Sequence, residues 1–140
     1  MDDAYMSRLL AEVKTIAIVG AKDAPGQPVT RVGKYLIQAG YDVIPVHPVR
    51  KNVWGLTAYM SLADVPQRVD MVNVFRAPQY CLEHAREALA LSPLPKVFWM
   101  QLGISNADAA KLLAEHGVAV VEDACLMVDH ARLFGPQPLF

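Results

Sequence analysis

The chain has 140 residues, and its 13 basic and 14 acidic side chains give a formal net charge of -1. This length suits one domain, so we expect a single domain over residues 1–140 with its core at about residues 15–133. The balanced charge excludes the strongly basic surface that is typical of proteins that bind nucleic acids or anionic membranes. An anionic ligand must therefore be bound by a local cluster of groups.

Targeting and metal-binding signals are missing from the sequence. The N-terminus carries Asp2 and Asp3 where a secretory signal carries bases, and no apolar run approaches the ~20 residues that span a bilayer. We therefore expect a cytoplasmic protein without a membrane segment. Cys81 and Cys125 form no C-x-x-C pair, which predicts two buried free thiols, and the four histidines show no metal-ligand spacing, so no metal is expected.

Five short segments rich in β-branched and aliphatic residues alternate with segments that are long enough to hold helices. Most of the five are apolar at nearly every position, which is the pattern of strands covered on both faces of a parallel sheet. The predicted strands are residues 15–20, 42–46, 70–75, 96–101 and 118–121.

Helices are predicted between these strands from the spacing of apolar residues and from start and stop signals. Residues 61–64 and 105–108 fit the capping box in its Asp form, and Gly40 fits as a helix stop. The tail, residues 135–140, is expected to fray. The predicted helices cover about residues 4–13, 28–39, 78–91 and 124–133, with further helix starts at Ser61 and Ser105.

The alternation predicts an α/β fold, namely a doubly wound five-stranded parallel sheet of the Rossmann-like kind with helices on both faces. We expect the order 3-2-1-4-5 for the predicted strands. Ligands of such sheets bind beyond the carboxyl ends of the strands, at a switch point that this order puts between predicted strands 1 and 4. Gly20, His47, Phe75 and Gln101 are accordingly expected to line one pocket, the only sizeable one.

The loop after the first strand lacks the common nucleotide-binding fingerprints. Its glycines at positions 20, 26 and 33 do not have the G-x-G-x-x-G spacing of dinucleotide-binding proteins, and the positions of a Walker loop are not matched. The loop leads into a helix predicted to start at residues 28–30, whose free N–H groups and dipole favour a phosphate. An ordinary strand-to-helix turn is the alternative interpretation.

The loop after the second strand is basic, with Arg50 and Lys51 next to each other and no acid between Val46 and Lys51. In NAD-binding proteins this loop carries an acid for the ribose hydroxyls. Two bases instead suit a ribose that bears a phosphate, as in coenzyme A or NADP. A solvated pair on a surface turn remains the alternative.

Seven segments together resemble the small bacterial and archaeal CoA-binding proteins, which are similar to the CoA-binding domain of the succinyl-CoA synthetase α subunit. The resemblance extends from Ile16 to Leu133. It implies the same sheet and a CoA ligand at its carboxyl edge. The segments are IAIVGA (16–21), RVGKYL (31–36), GYDVIPV (40–46), SLADVP (61–66), VDMVNVFR (69–76), VFWMQLG (97–103), and Cys125 with DHARL (129–133).

The resemblance also implies which residues contact CoA. The chain departs from the family pattern at Lys22, Gln27, Val29 and His47, where relatives usually carry Ser, Arg, Ser and Asn. These changes remove phosphate ligands, and Lys22 replaces part of the lost charge. The implied contacts are Gly20, Ala21, Lys22, Thr30, His47, Pro48, Arg50, Lys51, Phe75, Arg76, Gln101, Leu102 and Gly103.

No set of catalytic residues is evident. There is no G-x-S-x-G elbow, and the synthetase relatives use a phosphorylated His from another domain. We therefore expect non-catalytic binding of CoA or an acyl-CoA, as a carrier, a sensor or a partner of a separate catalytic chain. Two alternatives stay open: an NADP-linked oxidoreductase or redox sensor, and an interaction domain whose nucleotide pocket has decayed. No nucleic-acid or membrane partner is expected.

Overall fold

The computed structural model describes residues 1–135, and a five-stranded parallel sheet forms its centre. A separate antiparallel hairpin of two short strands follows the second strand of the sheet. The predicted fraying concerns the tail, residues 135–140, of which residues 136–140 lie outside the described residues. In chain order the strands are β1 (Thr15–Val19), β2 (Asp42–Val46), β3 (Asn52–Val53), β4 (Leu56–Thr57), β5 (Met71–Val74), β6 (Val97–Met100) and β7 (Ala119–Val121).

Within residues 1–135, five α-helices and two 3-10 turns precede, connect or follow the strands. The 3-10 turns are Leu62–Asp64 and Pro78–Tyr80. The helices are α1 (Asp3–Glu12), α2 (Pro28–Gln38), α3 (Cys81–Leu89), α4 (Ala107–Glu115) and α5 (Leu126–Phe134).

The predicted fold class is confirmed, since all five predicted strands lie parallel in one sheet. Two layers of side chains cover the sheet. The fully buried Trp99 packs with α1, α2 and α5 on one face, and Phe98, its neighbour on β6, packs with α3 and α4 on the other. Adjacent residues of a strand point to opposite faces, so both faces of β6 require apolar residues.

The predicted strand order needs a correction. The sheet runs β2-β1-β5-β6-β7, so the third predicted strand lies beside β1 and the order is 2-1-3-4-5 rather than 3-2-1-4-5. The connection after β2 passes around the edge of the sheet from one face to the other. Val53 packs on the face covered by α2, whereas Leu62 and Val69 pack on the opposite face. A right-handed crossover on that opposite face steps back across the sheet, past β1. The switch point therefore lies between β1 and β5, and its predicted position between strands 1 and 4 is wrong.

Several local predictions also differ from the structure. Neither predicted capping box forms: the Ser61 hydroxyl donates to the Asp64 carboxylate at the head of a single 3-10 turn, and Asn106 rather than Ser105 caps α4, accepting from the Ala109 N–H. The predicted helix over residues 78–91 begins with a 3-10 turn. The hairpin of β3 and β4 was not predicted, because strands of two residues carry too little periodicity to be detected.

The two cysteines have different environments. Cys81 is fully buried, as predicted, but Cys125 is only half-buried, so its predicted burial is wrong. Cys125 immediately precedes α5, at the edge of the sheet where the strands end. No helix within residues 1–135 has the length and apolar character needed to cross a membrane.

The switch point is held by a close approach of two backbones. Gly20 has φ +87, and a Cβ placed on it would lie 2.5 Å from the carbonyl oxygen of Phe75. The loops after β1 and β5 can therefore meet only if position 20 has no side chain.

We predict that Gly20→Ala lowers the free energy of unfolding by about 3 kcal/mol, because the left-handed backbone and the clash both add cost. Urea denaturation measures the change. Gly26→Ala is the matched control: Gly26 has φ +82 but open space around its Cβ position, so the expected loss is about 1 kcal/mol. Equal losses in the two variants would show that the contact with Phe75 does not constrain the fold.

Candidate functional site

A cleft opens at the carboxyl edge of the sheet, above the switch point between β1 and β5. Its volume is about 700 Å³, which is within the usual range for small-molecule sites. Gly20, His47, Phe75 and Gln101 all line it, as expected. The full lining is Gly20, Lys22, Gln27, Pro28, Val29, Arg31, Val32, His47, Pro48, Phe75, Arg76, Ala77, Gln101, Leu102, Ile104, Cys125, Met127 and Val128.

The loop after β1 is fastened to the start of α2 by Thr30. Its buried hydroxyl donates to the Lys22 carbonyl at 2.9 Å and accepts from the Ala24 N–H at 3.0 Å. No side chain caps α2, whose first residues, Pro28 and Val29, line the cleft. The positive end of the helix dipole therefore borders the cleft, where an anion would be stabilised.

His47 is held in one tautomer by the loop after β2. Its Nδ1 accepts from the backbone N–H groups of Val49 and Arg50, each at 3.1 Å, so Nε2 carries the proton. Burial lowers the pKa of His47, and the charges of Arg50, Arg76 and Lys22 lower it further. Three cations thus act on one imidazole at this end of the cleft, which we call the basic end.

Arg76 is positioned at the basic end by Tyr80. Its guanidinium carbon lies 4.4 Å from the centroid of the Tyr80 ring, a cation–π contact that holds the long side chain against the 3-10 turn before α3. Arg31, on the first turn of α2, is similarly fixed by a 2.6 Å hydrogen bond to the Gly26 carbonyl. Both guanidinium groups keep further N–H donors for a ligand.

The opposite end of the cleft, which we call the apolar end, consists of Leu102, Ile104, Cys125, Met127 and Val128. Leu102 is 67% exposed and Val128 is 58% exposed, values that are high for large apolar side chains. The turns after β6 and β7 are tied together by the Gly103 N–H, which donates to Asp123. This end therefore presents apolar side chains from the turn after β6 and from the start of α5.

Gln101 provides an oriented polar group at the floor of the cleft. It is 3% exposed, and its Oε1 accepts from Asn73 Nδ2 at 3.3 Å and from the Leu126 N–H at 3.4 Å. Because both contacts use the oxygen, the amide nitrogen is the group left to donate to a ligand.

Five of the thirteen predicted contact residues do not line the cleft. Ala21 is fully buried, and Thr30 acts through the loop rather than on the cleft surface. Gly103 follows Leu102 in the turn after β6, where its N–H donates to Asp123. Arg50 and Lys51 are exposed on the loop after His47, beside the mouth. The other eight line the cleft: Gly20, Lys22, His47, Pro48, Phe75, Arg76, Gln101 and Leu102.

The sequence interpretation missed the contribution of α5 to the cleft. Cys125, Met127 and Val128 line it because the chain turns back after β7 and lays α5 beside α2. The signal was their position just beyond a strand end, which places them at the carboxyl edge. The predicted ligand contacts all lie on the loops that follow the first four predicted strands or at the start of the helix after the first.

The expectation of a single sizeable pocket is wrong. A groove of about 600 Å³ lies on α2 and meets the cleft at Arg31 and Met127. Its lining was not predicted, because part of it comes from the hairpin of β3 and β4.

We predict that His47 titrates below 6.5 in the folded protein, as followed by NMR of its imidazole over pH 4–8. Arg50→Gln should raise the midpoint, because it removes one of the positive charges that lower the pKa. The lowered pKa means that the unfolded chain takes up a proton on His47 at a higher pH than the folded chain does. Protonation of His47 therefore reduces the free energy of unfolding as the pH falls below 6.5.

Lys111→Gln is the control for this titration, because it removes a charge from the exposed surface of α4 instead. It should leave the His47 midpoint in place. A midpoint at or above 6.5, or the same response to both variants, contradicts the assigned environment of His47.

Comparisons with known proteins agree with this geometry. A family model described as a CoA binding domain matches residues 14–131. The chain is 37% identical over 128 residues to the uncharacterized protein YneT of Bacillus subtilis (strain 168), covering 91% of this chain and 93% of YneT.

Two solved structures have the same fold along nearly their whole length. One is a Thermus thermophilus protein, cell-free ID.343, with 41% identity, a TM-score of 0.90, and coverage of 96% of this chain and 100% of that chain. The other is a hypothetical protein from Pyrococcus horikoshii OT3, with 35% identity, a TM-score of 0.92, and coverage of 96% and 94%.

Proposed function

Since this chain belongs to the CoA binding domain family, we propose that its cleft binds coenzyme A or an acyl-CoA without catalysing a reaction on it. The observation that carries the proposal is the polarity of the cleft, which is basic at one end and apolar at the other. Coenzyme A has the matching polarity, with three phosphates at its nucleotide end and a neutral pantetheine arm that ends in a thiol. Such a protein would act as a carrier, a sensor or a partner of a separate catalytic chain.

The pyrophosphate of the ligand is assigned to the start of α2. The start of α2 supplies the Val29 N–H, which has no partner within residues 1–135, and the positive end of the helix dipole, because Pro28 has no N–H and the N–H groups of Thr30 and Arg31 already donate to the Gln27 carbonyl. Lys22 and Arg31 add two positive charges beside it. Lys22 stands where relatives usually carry a serine, so this chain supplies a charge in place of a hydroxyl. We infer that the loop still binds phosphate, with a stronger dependence on salt.

The ribose phosphate is assigned to Arg50 and Lys51. The loop that carries them is fixed by His47, whose Nδ1 accepts from the Arg50 N–H, and by the Ala58 N–H, which donates to the Lys51 carbonyl. Arg50 is near enough to lower the pKa of His47. Both side chains are long and exposed, so they can turn from solvent onto a phosphate at the mouth of the cleft without disturbing the fold.

The pantetheine arm is assigned to the apolar end. The amide nitrogen of Gln101 can donate to a pantetheine carbonyl, and Leu102 and Val128 would lose much of their exposure to water beneath the arm. In this orientation the thiol end lies near Cys125 and Met127.

The absence of a catalytic set supports binding without chemistry. Within residues 1–135, the Cys125 thiol makes no hydrogen bond to an imidazole or a carboxylate. His130 instead shares a 2.8 Å hydrogen bond with the Tyr35 hydroxyl and is buried among aromatic rings. A nucleophile without a positioned base has little activation.

We predict that CoA binds 10- to 100-fold more tightly than dephospho-CoA, since one charge-assisted hydrogen bond is worth about 1.5 to 3 kcal/mol. Calorimetry measures both affinities. In the double variant Arg50→Ala, Lys51→Ala the difference should largely disappear, because the phosphate and its partners act as one interaction.

Arg68→Ala with Lys111→Ala is the matched control, because it removes two exposed cations from other parts of the surface. It should leave the preference for CoA intact. Equal affinity for CoA and dephospho-CoA in the natural chain contradicts the assignment of Arg50 and Lys51. Tighter binding of NADP than of CoA would favour the oxidoreductase alternative, and binding of neither would favour an interaction domain.

We also predict no turnover of acetyl-CoA by the isolated chain, because no base is positioned on a nucleophile at the cleft. Thiol release, followed with a thiol reagent at high protein concentration, should equal that of the buffer. A rate that saturates with substrate and is abolished in a Cys125→Ser variant would show that the cleft is catalytic.

A further inference from the structure

The cleft continues into the groove on α2, which we call the α2 groove. Its apolar walls are Tyr35, Ile37, Trp54 and Met127, and its volume is about 600 Å³. Arg31 and Met127 line both the cleft and the groove, so the two spaces adjoin between the first turn of α2 and the apolar end of the cleft. From this continuity we propose that the α2 groove binds the apolar acyl group of an acyl-CoA whose CoA moiety occupies the cleft.

This inference rests on the proposed function, because the cleft must hold CoA for the acyl group to reach the groove. The basic end of the cleft takes the phosphates, so the thioester emerges at the apolar end. Met127 lines both the apolar end of the cleft and the α2 groove. An acyl group attached to the thiol at the apolar end would therefore lie next to the apolar surface of the groove.

The Trp54 wall of the groove is fixed by its contact with α2. Gly33 has no side chain, and the Trp54 ring occupies the space that a Cβ would need. The backbone N–H of Trp54 donates to the Asp23 carboxylate at 2.9 Å, and this bond ties the hairpin to the loop after β1. One wall of the groove is thus attached to the same loop that is assigned to the pyrophosphate.

The length of the groove sets the class of acyl group. It extends along α2 from Arg31 to Gln38, seven residues or about 10 Å of helix, which is close to the length of an extended octanoyl chain. Lys34 and Gln38 are exposed on α2 and supply the polar edge of the groove, while the walls are apolar. Acetyl and other short groups would not reach these walls.

The test is calorimetry with CoA, acetyl-CoA, butanoyl-CoA, hexanoyl-CoA and octanoyl-CoA on the natural chain. We expect equal affinities for CoA and acetyl-CoA, then a rise of up to about fourfold per added methylene and at least tenfold in total. The gain should end near octanoyl-CoA, where the groove ends.

Matched variants locate the effect in the groove. Ile37 is 37% exposed and Leu94 is 36% exposed, and Leu94 is remote from the groove, in the loop before β6. Ile37→Gln should lower the affinity for octanoyl-CoA about fivefold and leave that for CoA unchanged, because the amide is more costly to cover than the alkyl group. Leu94→Gln should change neither.

The outcomes separate this inference from the proposed function. Binding of CoA with no dependence on chain length, or the same response to both variants, overturns the α2 groove as an acyl site and leaves the proposed function in place. Failure of CoA and of every acyl-CoA to bind overturns both.

Discussion

The position of the cleft depends on the contact between the backbones of Gly20 and Phe75. β1 and β5 are neighbours in the sheet, but their connections leave on opposite faces, through α2 and through the 3-10 turn before α3. The two loops therefore diverge from a common point, and the space between them is the cleft. A side chain at position 20 would force the loops apart at that point, so the backbone conformation of one glycine supports the whole arrangement.

The fold class could be predicted from the sequence because buried parallel strands are continuously apolar and short. The order of the strands could not, because residues 47–69 hold no α-helix whose apolar face would show which side of the sheet they cover. Leu62 and Val69 decide the order by packing opposite α2, but as isolated apolar residues they have no periodicity. Handedness then determines where β5 must lie.

Part of the candidate site could be predicted from the sequence because the positions of the strand ends could be predicted. Residues directly after strand ends, such as Gly20, His47, Phe75 and Gln101, reach the carboxyl edge in any doubly wound sheet, whatever the strand order. Cys125, Met127 and Val128 reach it through the packing of α5 against α2, a long-range contact without a local signal. The polar half of the cleft can thus be predicted from the loop sequences that follow the strands, whereas the apolar half depends on long-range tertiary contacts.

The two halves of the cleft also differ in how firmly they are held, and this difference bears on the proposed function. At the basic end, the side chains of His47, Thr30 and Arg31 each form a hydrogen bond with the backbone of their own loop. The groups that would contact a phosphate are therefore oriented before a ligand binds. At the apolar end, Leu102 and Val128 are exposed side chains without directional contacts, and they can repack around arms of different shape. Preorganised charges with an adaptable apolar end favour a protein that recognises the constant nucleotide of coenzyme A and tolerates variation in the group attached to its thiol.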